Sequence, residues 1–364
     1  MQSNVNRLSA LRDIMRHSGT TLTALAPGAH MHWVLGYHPH PDERPTYLLV
    51  GPQVAAMVVP SVNAQDIGSR VDVPLHVWTD EDGPSAAIRS ALVAVLPGGP
   101  VRVSLDETMR ADAALLLLDQ LNAAERCFAT ETVGALRMHK DDAEFAALKT
   151  AASAADHAMQ AGFAALRPGL TERQVADAIR AGFAKKDTPS AFCLVASGPN
   201  GAFPHHSTGD RVLQTGDAVV IDIGGTTGGF PSDMTRMALV GQAPEGYDDV
   251  HGIVERALQA AMAAARPGVV AKSVDKAARD VITQASYGEY FVHRTGHGLG
   301  LEVHEPPYLT ATSETILQEG MVFSIEPGIY LPGRFGIRLE EIVILRKDGP
   351  EILSSLPRAA FISA

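Results

Sequence analysis

HRTGHGLGLEVHE, residues 293–305, is the segment on which the reading of the fold turns. It sets His293, His297 and His304 in one short run, with Gly296, Gly298 and Gly300 interleaved around and after the central histidine. Glycines at such a spacing let other backbone approach closely. The pattern is not GxGxxG and no P-loop lysine follows, which excludes a phosphate cradle. Read alone, the histidines fit a polar core equally well, and the neighbouring segments decide between the two. Upstream, IDIGG (221–225) ends the apolar run Ala218–Ile221 in Asp222, and PSDMTR (231–236) holds Asp233 eleven residues later. Downstream, FSIEPG (323–328) and GIRLEE (336–341) hold Glu326 and Glu340 beside apolar runs that read as buried strands. A single Asp of this kind is often a turn residue bonding its own backbone, and Glu340-Glu341 by itself reads as a solvated pair. Together, four carboxylates and an imidazole form a hard, oxygen-rich ligand set, too acidic for a structural zinc site. The set suits Mn²⁺ and accommodates Co²⁺ or Zn²⁺. Buried carboxylates need partners, and four of them close together repel unless cations sit among them.

The five segments, in this order, resemble the pita-bread metallopeptidases (methionine aminopeptidase, aminopeptidase P and prolidase) from about Arg137 to the C-terminus. The resemblance implies two divalent ions. Asp222 would chelate one, His297 and Glu326 the other, and Asp233 and Glu340 would bridge both. Two ions about 3.5–4 Å apart acidify a shared water. His304 would then stabilise the oxyanion with His205 assisting, and Glu326 would shuttle a proton. In GPNGAFPHHSTGDR (198–211), counting back from Gly216-Asp217 selects His205, with His206 as the alternative. His293 and Arg338 would line the leaving-group side. The N-terminal domain and the segments GPNGAFPHH and IEPGIYLPGRFGIRLEE resemble the proline-specific members. The implied reaction is hydrolysis of Xaa-Pro dipeptides, with longer Xaa-Pro peptides as the alternative. A creatinase-type amidinohydrolase and a non-catalytic scaffold share the fold; the intact ligand set counts against both. Dipeptide selectivity requires a cation for the substrate carboxylate, and arginine's planar fork suits it. The candidates are Arg334 and, in the stiff loop His32–Arg44, Arg44.

The rest of the chain is read from composition. Its 364 residues suffice for two domains, and 46% of them are hydrophobic. A net charge of −11 argues against nucleic acid or an anionic membrane as partner. Two cysteines make no disulfide framework, so a reducing compartment is expected. MQSNVNRLSALRDIMRHSG carries no apolar run of signal-peptide type. The chain thus reads as cytoplasmic, and the resemblance implies a homodimer. Residues 1–132 read as an α/β domain, with strands at Tyr47–Val50, Ala55–Val59, Leu75–Trp78 and Val101–Leu105 and helices at Ser85–Leu96 and Ala111–Leu121. Residues 133–364 form the expected α+β pita-bread (creatinase/aminopeptidase-like) catalytic domain, opening on a helix over 139–165. Within it, Arg167-Pro168-Gly169 recurs as Arg266-Pro267-Gly268 at an offset of 99 residues, with matched flanking positions. That repeat predicts a pseudo-two-fold domain whose site draws ligands from both halves.

Overall fold

Each Arg-Pro-Gly turn breaks a pair of helices in the same way. The computed structural model describes residues 4–121 and 123–363. In it the helix Asp142–Ala165 is followed by Glu172–Ala184, and Tyr247–Ala264 by Ala271–Gln284. The first helices end at 165 and 264 and the second begin at 172 and 271, so the offset of 99 holds at both edges. Gly169 and Gly268 adopt φ of +88° and +87°. Their amides bond the carbonyls of Leu213 and Leu317 at 3.0 and 2.8 Å. The internal repeat is therefore structural. The first helix begins at Asp142 rather than 139 because Asp141 and Glu144 form a reciprocal capping box. The residues before it are extended, with His139 bridged to Met321.

The chain divides into two compact units, Met1–Arg137 and Met138–Ala364. The first is built on a six-stranded mixed sheet in the order Leu75–Trp78, Ala55–Pro60, Tyr47–Val50, Leu22–Leu25, Val101–Leu105, Ala123–Phe128. The helix Ser85–Val95 packs Ile88, Ala91 and Leu92 against it. The central strand Leu22–Leu25 and the helix Asn4–Ser18 lack a sequence signal. The strand is four residues of unbroken burial, with no alternation to read.

In the second unit, Ser190–Ser197, Ala218–Thr227, Met234–Val240 and Phe361–Ser363 form one sheet. Glu305–Leu309, Gly296–Gly298, Val322–Ile325, Glu341–Arg346 and Gly349–Ile352 form another. Period-two alternation sorts the first sheet's faces. Val219, Ile221 and Ile223 pack with Ala155, Met159 and Ile179 of the helices Asp142–Ala165 and Glu172–Ala184. Ala218 and Val220 join the larger core on the opposite face. Asp222 continues that second parity, so the face turns from apolar to acidic midway along the strand. On the paired strand, Met237 and Leu239 share the same core, and Asp233 and Thr235 extend their parity. Thr235 lies opposite Asp222 in the register. No helix among the described residues is long and apolar enough to cross a membrane.

The two Pro-Gly turns provide a clean measurement. A Cβ at Gly169 or Gly268 would meet nothing within 4 Å, so Gly→Ala costs only the left-handed backbone conformation. Each substitution should lower stability by about 1 kcal/mol, and the two losses should be equal. Denaturant midpoints check this; unequal losses would show that the turns are not equivalent.

Candidate active site

Three close approaches, two by backbone and one by a side chain, explain the glycines of 296–300. A Cβ on Gly296 would lie 1.9 Å from the Ser324 carbonyl oxygen, and one on Gly298 would lie 2.2 Å from that of Pro306. On Gly300 it would lie 2.2 Å from Glu305 Oε1. Only glycine lets the strand Gly296–Gly298 lie this close to its neighbours while His297 is held between them. His297 is buried; its Nδ1 lies 3.1 Å from the Gly298 carbonyl and donates to it. Its Nε2 faces Glu326 at 3.2 Å and Asp233 at 3.6 Å. A lone pair aimed at two carboxylates is repulsive unless a proton or a cation lies between them.

The carboxylates show the same vacancy of partners. Arg338 donates through Nη2 to Asp222 Oδ2, through Nε to the Thr235 hydroxyl (3.1 Å) and through Nη1 to the Tyr330 hydroxyl (2.7 Å). Thr235 in turn donates to Glu340 Oε2 at 2.8 Å. One oxygen of each carboxylate is thereby held. The others, Asp222 Oδ1 and Glu340 Oε1, are buried with no hydrogen-bond partner among the described residues. Ligand atoms of Asp222, Asp233 and Glu340 lie within 4.8 Å of one another, as do those of His297, Glu326 and Glu340, and those of Asp233, His297 and His304. Glu340, Asp233 and His297 each belong to two of these groups. The donor set thus fits divalent cations, with free lone pairs where a cation would need them.

Electrostatics agree. Burial, then Glu340, Asp222 and Glu326, hold the Asp233 carboxyl well above the usual range. Burial, then Glu326 and Asp222, do the same for Glu340. Asp222 is raised by burial, against the opposing pull of Arg338. Burial also opposes ionisation of Glu326, but the hydrogen bond and charge of His297 and the nearby His293 and Arg338 outweigh it and bring Glu326 down to about 2. Burial, then His297 and Arg294, lower His304 to about 4, so its imidazole is neutral near neutral pH. The His297 and His304 rings meet edge-on at 4.2 Å.

These groups open on a cavity of about 940 Å³, with Leu194, His205, Arg294 and Val303 on its wall. His206 also lines it, but its Nε2 is tied at 2.9 Å to the fully buried Glu172. Glu172 also accepts from Ser197 N–H (2.8 Å), Asn200 (3.0 Å) and Gly209 N–H (3.2 Å), which folds the loop that presents His205. His293 donates from Nδ1 to the Arg294 carbonyl (2.8 Å) and accepts at Nε2 from Tyr330 O–H (2.8 Å). Arg334 donates to the Glu245 carbonyl at 2.7 Å and is not among the residues lining the cavity. Arg44 belongs to the first unit, where its guanidinium forks onto Asp80 at 3.0 and 2.9 Å. Glu341, a solvated acid on one reading of the sequence, is buried and paired with Arg236 (3.1 Å) and Arg358 (3.1 Å). Arg294, Tyr330, Thr235 and Glu172 escape sequence reasoning, because nothing local distinguishes them from ordinary strand and helix residues.

Residues 146–347 match the model of metallopeptidase family M24. The chain is 40% identical over 365 residues to the probable dipeptidase PepE of Mycobacterium tuberculosis, covering 98% of this chain and 96% of that protein. The crystal structure of dipeptidase PepE from Mycobacterium ulcerans superposes with a TM-score of 0.92 at 38% identity, covering 99% and 97% of the two chains. Recombinant prolidase from Thermococcus sibiricus superposes with a TM-score of 0.91 at 30% identity, over the full length of both.

The raised carboxyls set a sign for the metal-free protein. A folded pKa above the unfolded one stabilises at low pH, and that contribution is lost as pH rises through the folded value. Bound cations remove the repulsion and compete with those protons. The gap in Tm between Mn²⁺-loaded and chelator-treated protein should therefore be wider at about pH 7.5 than at about pH 5.5. Paired thermal melts check this, and a gap that narrows with pH would contradict the assignment of these carboxylates.

Proposed function

This chain belongs to metallopeptidase family M24, and from that premise we propose that it hydrolyses the Xaa-Pro bond of dipeptides at a dinuclear centre, with Mn²⁺ the preferred metal. The observation that carries the reading is the pair of buried, unbonded oxygens on Asp222 and Glu340, set beside the Nε2 of His297, which faces Glu326 and Asp233. Asp222, Asp233, His297, Glu326 and Glu340 would hold the ions. When bound, the pair supplies a water acidified to near neutral pH and polarises the scissile carbonyl.

The chain's own groups supply the rest. Proline's nitrogen carries no hydrogen in the peptide bond, so the leaving amine must be given one. Glu326, held ionised, accepts the proton of the attacking water and delivers it to that nitrogen. His304 is neutral and offers one N–H to the developing oxyanion, with His205 on the same cavity wall. His293 is locked in one tautomer between the Arg294 carbonyl and Tyr330, so it presents a fixed face to the proline side. Arg338 holds Asp222 and, through Thr235, Glu340. Relatives named Xaa-Pro dipeptidase, such as that of Pyrococcus horikoshii (31% identical over 86% of this chain), support the substrate class.

The experiment that tests the reading is turnover of a Xaa-Pro dipeptide beside a Xaa-Pro-Yaa tripeptide, before and after chelation. Dipeptide cleavage should be abolished by chelator and restored by Mn²⁺ or Co²⁺; full activity in metal-free protein would overturn the assignment. His304→Ala should lower kcat by roughly 10²–10³ with metal content unchanged, whereas loss of metal with normal kcat per ion would make His304 a ligand instead. For dipeptide selectivity, Arg44 would have to release Asp80 before gripping a substrate carboxylate. Arg44→Ala should weaken dipeptide turnover while tripeptide turnover holds or rises. If both fall equally, Arg44 is not the selector and Arg334 is the next to test.

A further inference from the structure

The turn that carries Val303 and His304 to the cavity is folded around a buried charge outside the metal cluster. Gly298 pairs with Glu305 at the base of the turn. The Glu305 side chain folds back over Gly300, filling the space a Cβ there would take, and accepts from the Glu302 amide at 3.3 Å. Gly300 N–H closes the turn on the Glu302 carbonyl at 3.1 Å. Glu305 Oε1 meets Lys140 Nζ at 2.7 Å, and both side chains are only 2% exposed. Lys140 is itself anchored, since its amide bonds the Gly320 carbonyl at 3.0 Å and the adjacent His139 bridges Met321. Gly320 and Met321 lead into the strand Val322–Ile325, next to Glu326. The pair thus ties the entry of the catalytic unit, the His304 turn and the approach to a metal-ligand strand.

We propose that the buried Lys140–Glu305 ion pair is a positioning device for His304, holding the turn 299–304 so that this imidazole reaches the reacting carbonyl. A buried ion pair adds little net stability compared with an apolar substitute, but losing one partner strands the other's charge. In Lys140→Met, Glu305 would have to turn toward solvent or take up a proton, and either outcome releases the wrap over Gly300. A shift of about 1 Å at a transition-state donor costs as much as about a hundredfold in rate. Neither residue touches substrate; both act through His304. The inference rests on the role given to His304 above.

The test is a double-mutant cycle on dipeptide turnover, run well below the melting temperature with metal content measured. Lys140→Met should lower kcat about ten- to a hundredfold with little change in KM and unchanged metal content. In the His304→Ala background the same substitution should change kcat by less than about twofold, because the group it positions is gone. If Lys140→Met does not fold, Lys140→Met/Glu305→Gln strands no charge but still removes the tie that anchors the turn to Lys140, and it should behave the same way in the cycle. A full His304→Ala loss with an additive Lys140 effect, or undiminished kcat in the folded charge-free pair, overturns the positioning role alone. An unchanged kcat in His304→Ala overturns the reading of His304 and this inference with it.

Discussion

Mutual repulsion among buried carboxylates is the constraint around which the catalytic unit is arranged. Asp222, Asp233 and Glu340 all have carboxyls raised above the usual range by burial and by neighbouring carboxylates, Glu326 among them in each case. Such a cluster opposes folding unless cations occupy it. The surrounding protein neutralises only part of the charge. Arg338 takes one oxygen of Asp222, and Thr235 takes one of Glu340. The remaining lone pairs are left for metal, and the imidazole of His297 is turned so that its own lone pair joins them.

Holding repelling groups together requires stiff supports, and these come from backbone rather than from loops. Asp222 sits midway along one strand and Asp233 immediately precedes its paired neighbour, on the parity that is otherwise apolar. His297 is clamped in a strand whose glycines allow contacts a side chain would prevent. Arg236, almost fully buried, donates to the Glu340 carbonyl and to the Glu341 carboxylate, and also to the Leu356 and Pro357 carbonyls. The C-terminal segment thereby locks the strand that begins beside Glu340. Removing such a guanidinium would leave several buried acceptors unmet.

The cavity walls follow the same economy, with buried charge used to shape turns. Glu172 organises the loop bearing His205, and Lys140–Glu305 organises the turn bearing His304. Glu172 gathers the backbone amides of Ser197 and Gly209, and Glu305 takes that of Glu302, groups that a short loop would otherwise leave unsatisfied. His205 and His304, both on the cavity wall, are therefore held by groups that do not themselves line it.

The sequence alone determined what depends on local chemistry. A hard ligand set can be read from residue type, glycine spacing can be read as close packing, and a 99-residue offset can be read as duplication, because each is written in a short window or a fixed register. The strands Tyr47–Val50, Leu75–Trp78 and Val101–Leu105 were legible for the same reason, as short apolar runs bounded by turn residues. The strand Leu22–Leu25 was not: both it and Tyr47–Val50 are buried throughout, but LTAL, with Thr23 and Ala24 at its centre, is a weaker apolar run than YLLV. Only the tertiary structure decided that Glu341 is a buried ion-pair partner, that His206 is tied to Glu172, and that Arg294 and Tyr330 belong to the cavity and its supports. Those outcomes depend on partners as far as 105 residues away in the chain, as for Arg236 and Glu341. No local pattern encodes which distant charge will be buried beside a given side chain; only the packing of the sheets settles that.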